Sequence, residues 1–196
     1  MTLSIFGNFD AGTVVMIVLA ILIAVYLYFL EKRDKQDSPA ALCKQYETLT
    51  EESLAAIPDD QLLRAVAANL MNKQDRRHPD LSVTLPLLSP GRCGVYSVWL
   101  LCHELERREL GAYFRTPYRR FAELAATGFS LIGANDCAEA MTAACQRYAA
   151  EIAKDKQELP SWEDLTARLR QAIHEEQPFA LCVAYIRDNP AEFTDC

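Results

Sequence analysis

The spacing of apolar residues divides the chain into two parts. Residues 11–30 contain no charged residue and would be apolar on every side of a helix, whereas residues 38–196 repeat apolar positions at intervals of three and four. A helix of about 20 residues spans about 30 Å, the hydrocarbon thickness of a bilayer. We therefore predict a transmembrane helix at 11–30, preceded by a short extracytoplasmic segment at 1–10 and followed by a charged linker at 31–37.

Charges next to this run predict its orientation. The basic residues Lys32, Arg33 and Lys35 follow it and none precedes it, so the positive-inside rule places the C-terminal side in the cytoplasm. They are the topology signal for a single-pass protein of the bacterial inner membrane that contacts lipid through residues 11–30. Two alternatives are open. A cleaved signal peptide would need a basic start and a cleavage site of small residues, and a buried core helix would be unusually long.

Residues 38–196 are predicted to form a cytoplasmic all-α domain of about seven helices. Residues 75–91 are rich in proline and indicate a long loop. Gly111 is expected to end the longest helix, and Thr48 with Glu51 could form a capping box. Capping residues and prolines mark the helix starts, most clearly at Ser38–Pro39, Ser89–Pro90, Thr116–Pro117, Ser161 and Pro178.

Charge limits the classes of function. The net charge of −7 argues against direct binding of nucleic acid, which needs a basic surface. Residues 107–120 hold five arginines and one glutamate, whereas residues 151–196 hold ten acidic and five basic residues. Either these are solvated helix faces that pair with one another, or they form a polarised surface that steers a charged partner. The odd number of cysteines, seven, indicates reduced thiols that fill a core.

The chain carries no recognisable catalytic motif, so we predict no catalytic residue, no metal site and no cofactor. Its cysteines and histidines lack the spacing of zinc ligands, and the glycine-rich motifs that bind phosphates do not occur. Cys102, His103 and Glu104 are consecutive, but neighbouring residues on a helix point to different faces. An enzyme whose site is assembled from distant residues, such as His103, Glu104 and Arg115, is the catalytic alternative.

Three short motifs resemble a known bacterial family. They are Glu104–Phe114, Leu131–Ala134 and the closing Ala184–Phe193. Their order and spacing resemble the family named after DNA mimic protein nineteen, largely a domain of unknown function, over residues of about 58–195. Members carry Asn-Gly-Gly in the first motif, where this chain has Arg107, Arg108 and Glu109.

The resemblance implies an all-α fold and, for the namesake, acidic mimicry of DNA that occupies a DNA-binding protein. It also marks positions in the motifs as candidate binding residues, although a turn packed between helices would explain the same residues, since tyrosine and phenylalanine fill cores and glycine ends helices. These candidate positions are Glu104, Arg107, Arg108, Gly111, Tyr113, Phe114 and Gly133.

Three hypotheses of function follow. The first is a membrane-anchored cytoplasmic domain that binds another protein, and the second is a DNA-mimic-type regulator that occupies a DNA-binding protein. The third is an enzyme, which would need a concave pocket with convergent polar groups. Mimicry would need closely spaced surface carboxylates that are not paired with Arg168, Arg170 and Arg187.

Overall fold

The computed structural model describes residues 19–24, 39–73, 84, 88–154 and 159–195. Regular secondary structure in these ranges is helical, which confirms the all-α prediction for them. The chain separates into two units, residues 1–45 and 46–196. The helices are α1 (Pro39–Gln45), α2 (Glu51–Ala56), α3 (Asp59–Asn72), α4 (Pro90–Arg107), α5 (Leu110–Tyr113), a 3-10 helix (Pro117–Phe121), α6 (Ala122–Leu131), α7 (Asn135–Ala153), α8 (Trp162–Glu176), α9 (Pro178–Asp188) and a second 3-10 helix (Pro190–Glu192).

The predicted transmembrane helix at 11–30 is wrong on this structure. Only residues 19–24 of that run are described, and they form a helix with exposed side chains. Among all described residues, no helix has both the length and the apolar character that crossing a membrane requires.

Other predictions depended on that helix. A single-pass inner-membrane location and lipid contact through 11–30 are not supported. The extracytoplasmic segment at 1–10 and the linker at 31–37, which contains the topology signal Lys32, Arg33 and Lys35, lie outside the described residues.

Local capping explains where the helices of residues 46–196 begin. The Ser89 hydroxyl accepts from the Arg92 amide at 3.1 Å at the start of α4, as predicted. The capping box of α2 lies two residues later than predicted, because Thr50 and Ser53 exchange hydrogen bonds of 2.8 and 3.1 Å. Thr48 with Glu51 is therefore not the box.

Helix α4 is the centre of the 46–196 unit, and it packs against α3, α6 and α9. Its closest neighbour is α6, where Gly94 and Gly128 face each other. A Cβ added at Gly128 would lie 2.6 Å from the Gly94 carbonyl oxygen, so this approach requires glycine. Helices α6, α7 and α8 continue the stack in chain order, and their fully buried side chains include Phe129, Met141, Leu165 and Leu169.

The Asp195 side chain, near the end of the described chain, makes polar contacts with several parts of this unit. The Asp195 side chain lies 2.9 Å from Arg92 Nη1 and 2.7 Å from Lys73 Nζ. It also accepts from Asn69 Nδ2 at 2.8 Å and from the Leu49 amide at 3.0 Å. We call this group of five residues the Asp195 clasp, and it joins α3 and α4 to the two ends of the unit.

The cysteines that the structure describes are free thiols. Four of them are buried in the helical core. Burial raises the pKa of the Cys102 thiol to about 12, with a smaller contribution from Glu106. These thiols therefore stay protonated near neutral pH and pack as small apolar groups. The four are Cys93, Cys102, Cys137 and Cys182.

Candidate functional site

The first motif of the family resemblance forms a packed turn, which we call the motif corner (residues 104–114). Arg108 has extended backbone angles of −150° and 168° and ends α4. Gly111 lies inside the next helix, α5, so the prediction that it ends α4 is wrong. Glycine at this position instead leaves room for Trp162, because an added Cβ would lie only 3.0 Å from Trp162 Cγ.

Helix α8 holds the motif corner in place. The Leu110 amide donates to Thr166 Oγ1 at 3.1 Å. Arg170 Nη2 donates to the carbonyl oxygens of Leu105 at 3.0 Å and Arg108 at 3.2 Å. Carbonyl groups at a helix end lack partners within the helix, so Arg170 satisfies groups that the end of α4 leaves open.

The aromatic residues of the motif corner are buried. Tyr113 is 0% and Phe114 is 2% exposed. The Phe114 ring lies 4.9 Å from Tyr148 and 5.1 Å from Trp162, measured between centroids. The Tyr113 hydroxyl donates to the Tyr118 carbonyl oxygen at 2.8 Å. Burial raises the pKa of Tyr113, with smaller contributions from Cys145 and Glu104, so the phenol stays neutral.

The remaining motif positions are not gathered at one binding point. Glu104 is 9% exposed, and its Oε2 lies 2.9 Å from Arg108 Nε. Arg107 is exposed. Gly133 belongs to a different turn, between α6 and α7, where its φ of +82° requires glycine. Most of these positions are thus packed within the fold, whereas Arg107 remains exposed.

An open groove lies on another face of α4, between α3, α4 and α9, and sequence reasoning missed it. Its volume is about 580 Å³. We call it the α3–α4–α9 groove, and the residues that line it are Asp59, Asp60, Leu63, Arg64, Trp99, His103, Phe179, Ala180, Val183, Ala184 and Arg187.

Aromatic rings form one end of the groove. The His103 ring lies 4.8 Å from Trp99 and 5.6 Å from Phe179, measured between centroids. Phe179 is 37% exposed, although it is one of the larger apolar side chains. His103 Nδ1 lies 3.5 Å from Glu106 Oε1, which projects to solvent.

Charged residues form the other end of the groove. Arg187 Nη2 lies 2.6 Å from Asp59 Oδ1 and donates to the Ile57 carbonyl oxygen at 2.6 Å. Arg187 Nη1 donates to the Leu54 carbonyl oxygen. Asp60 is exposed and has no ion-pair or hydrogen-bond partner among the residues that the structure describes.

The catalytic alternative is not assembled in this structure. His103 lines the groove, whereas Glu104 and Arg115 do not. Glu104 is paired with Arg108 in the motif corner, and Arg115 is exposed after α5. Within the described ranges, no group of three or more histidine, cysteine, aspartate or glutamate side chains could hold a metal ion.

One sequence signal could have indicated the groove. Residues 179–186 are all apolar, so α9 is apolar on every side and not only along one stripe. Cys182 and Ile186 are buried, whereas Phe179 and Val183 line the groove. Apolar residues outside the buried face of a helix indicate a second contact surface.

Comparison with known proteins identifies the family. Residues 87–189, more than half of the chain, match the family model described as DMP19-like protein. No curated protein and no solved structure matches the chain. The matched range includes the motif corner and helices α4 to α9, but it does not include α3 or Asp195. The resemblance predicted from the three motifs is confirmed: the chain belongs to the DMP19-like protein family.

Proposed function

We propose that this protein is a protein-binding domain that takes an apolar segment of a partner into the α3–α4–α9 groove. The observation that carries the proposal is Phe179, an exposed phenylalanine beside Trp99 and His103 in an apolar groove. Aromatic side chains in well-packed pockets supply much of the energy of protein–protein binding.

The dimensions of the groove support a short segment as its occupant. Phe179 and Arg187 are eight residues apart on α9 and mark its two ends. Eight helical residues rise about 12 Å, or about two turns. Grooves between helices commonly take the apolar face of a short helix, through side chains spaced three and four residues apart.

Site-specific cross-linking tests the proposal. A photoreactive phenylalanine analogue at Phe179 should cross-link a defined protein in living cells. Tyr118 is the matched control position, because it is an exposed aromatic residue (40%, against 37% for Phe179) that does not line the groove. Equal products from both positions, or none from Phe179, would contradict the proposal.

A DNA-mimic-type role is the second candidate, and membership of the DMP19-like family favours it. The carboxylates of the described chain give it less support, because several have internal partners. Glu139 lies 2.8 Å from Arg168 Nη2, and Glu176 accepts from the Asp136 and Cys137 amides at 3.0 and 2.9 Å. Mimicry predicts competition with DNA for a DNA-binding protein, weakened by salt. Salt-independent binding, or simultaneous binding with DNA, would exclude it.

A further inference from the structure

We infer that the turn between α5 and α6 binds an acidic segment of a partner protein. We call it the arginine turn (residues 115–120), and it contains Arg115, Arg119 and Arg120 but no acidic residue. None of its residues lines the α3–α4–α9 groove. The arginine turn would therefore be a second contact surface, independent of the proposed function of the groove.

The structure separates the two interpretations of the arginines in residues 107–120, which were pairing within the protein or a surface for a charged partner. Arg108 is paired with Glu104 at 2.9 Å. Arg115 and Arg119 are exposed, and neither side chain has an ion-pair or hydrogen-bond partner in the described ranges. Arg120 is also exposed, although its Nε donates to the carbonyl oxygen of residue 117 at 2.9 Å. The charges of Arg115 and Arg119 are thus available to a ligand.

Local hydrogen bonds fix the backbone that carries these arginines. The Thr116 hydroxyl accepts from the Tyr118 amide at 3.2 Å and donates to the Tyr113 carbonyl oxygen at 2.7 Å. The Tyr118 carbonyl oxygen accepts from the buried Tyr113 hydroxyl at 2.8 Å, and the ring of Pro117 restricts its own φ. Because the backbone is already ordered, a partner would have to immobilise only side chains, which lowers the entropic cost of binding.

The residue types of the arginine turn are those of protein interfaces. Tyr118 is 40% exposed and lies between Arg115 and Arg119 in the chain. Tyrosine and arginine are enriched at protein–protein interfaces and among the residues that contribute most to binding. A partner with carboxylates for the arginines would also cover the tyrosine ring.

The charge distribution fits an acidic protein segment better than a nucleic acid. Residues 110–134 hold three arginines and one acidic residue, Glu123, so this region is basic. The whole chain has a net charge of −7, which repels the dense line of phosphates of a nucleic acid, and three arginines can contact few phosphates. A short acidic segment carries its charge only at the site and avoids most of this repulsion.

Two synthetic peptides test the inference on the full chain. Both have about 12 residues, and one has glutamine wherever the other has glutamate. Fluorescence anisotropy measures their affinity at low and high salt. We expect the glutamate peptide to bind roughly tenfold more tightly at low salt, and the preference to shrink as salt screens the charges.

Charge reversal in the protein provides the second half of the test. The double variant R115E/R119E should lose the preference for the glutamate peptide. The control K154E/R168E makes the same change in net charge at two exposed positions outside the arginine turn, and it should keep the preference. Circular dichroism verifies that each variant is folded.

Several outcomes would overturn the inference. Equal binding of the two peptides would do so, and an equal loss in both double variants would show only a general effect of net charge. A single-stranded oligonucleotide of about 12 nucleotides that binds more tightly than the glutamate peptide would make the turn a nucleic-acid surface. An oligomer in light scattering that R115E/R119E dissociates would make a second copy the partner.

The groove and the arginine turn can be distinguished in the same experiments. Phe179→Asp should leave the affinity for the glutamate peptide unchanged, because Phe179 lies in the groove. A photoreactive group at Tyr118 should capture a different protein from one at Phe179. Loss of glutamate-peptide binding in Phe179→Asp would place the peptide in the groove and overturn the inference.

Discussion

The motif corner and the α3–α4–α9 groove both include residues of helix α4, but their phenylalanine side chains differ in exposure. In the motif corner, Phe114 is 2% exposed and its ring stacks on Tyr148. In the groove, Phe179 is 37% exposed and its ring contacts His103. The buried aromatic residues of the motif corner are thus used for packing, whereas Phe179 of the groove remains partly exposed.

The charged side chains of the two regions also differ, in whether they have partners within the protein. At the motif corner, Arg170 of helix α8 donates to the carbonyl oxygens of Leu105 and Arg108, and Glu104 is paired with Arg108. At the groove, Asp60 has no partner within the described ranges. A motif in a sequence therefore need not mark a binding site, since its residues can be required for the fold alone.

The largest expected effect is at the motif corner. Phe114→Ala removes a ring that lies between Tyr148 and Trp162, and truncation of a buried phenylalanine costs about 3–5 kcal/mol. Urea unfolding should show this loss in the free energy of unfolding. A cost below about 1 kcal/mol would mean that the corner is not the packed region described above.

The second largest effect is expected when the Asp195 clasp is lost at acid pH. This loss should change the structure around the groove before that around the motif corner. Burial raises the Asp195 pKa, but the Lys73 ion pair and the hydrogen bonds from Leu49, Asn69 and Arg92 outweigh it and lower the pKa from 3.8 to about 2. The lowered pKa contributes stability that is fully present above about pH 4 and is lost as pH falls towards 2. The loss is about 2 kcal/mol.

The two tryptophans allow each region to be followed separately. Trp99 lines the groove, whereas Trp162 of helix α8 packs against Phe114 of the motif corner. Acid titration of W162F reports on Trp99, and titration of W99F reports on Trp162. Because the clasp holds α3 and α4, Trp99 fluorescence should change at a higher pH than Trp162 fluorescence. Coincident changes would contradict this order, and Asp195→Asn should remove the acid step.

A smaller loss in the free energy of unfolding is expected for changes at the contact between α8 and the end of α4. Arg170→Ala removes two hydrogen bonds to carbonyl oxygens, which should cost about 1 kcal/mol in thermal or urea unfolding. Arg168→Ala is the control on the same helix. Its ion pair with Glu139 is exposed on both sides and should contribute less than about 0.5 kcal/mol. Equal costs would show that Arg170 does not stabilise the corner.

The smallest effect on stability is expected at the groove. Phe179→Ala truncates a partly exposed side chain and should change the free energy of unfolding by about 0.5 kcal/mol or less. The same variant should lose most of its affinity for the partner that the cross-link at Phe179 identifies. Tyr118→Ala should alter neither property. A large loss of stability in Phe179→Ala would make Phe179 a core residue.

Much of the fold could be predicted because its signals are local. Ser89 and Ser161 cap α4 and α8 as predicted, through hydrogen bonds to residues three positions later. The interpretation of Tyr113 and Phe114 as core residues also agrees with their burial. In these cases a short stretch of sequence contains both partners of the interaction.

The remaining features depend on partners far apart in the chain. The groove combines Asp60, Trp99 and Phe179 from three helices, and the Leu49–Asp195 contact joins residues 146 positions apart. Gly111 was misread because its function depends on Trp162, which a local pattern does not contain. The prediction of a membrane span at residues 11–30 rested on apolar length alone, and no helix of the described residues is long and apolar enough to cross a membrane.

The separation of Arg92 and Asp195 also has a consequence for synthesis of the protein. The two residues are 103 positions apart, and ribosomes add roughly 5–20 residues per second. Arg92 is therefore made roughly 5–20 s before its carboxylate partner. During that interval the nascent helices α3 and α4 can form and pack, but their polar groups must be solvated by water or held by chaperones. The contacts of Asp195 with Lys73 and Arg92 can therefore form only after the chain has been made through Asp195.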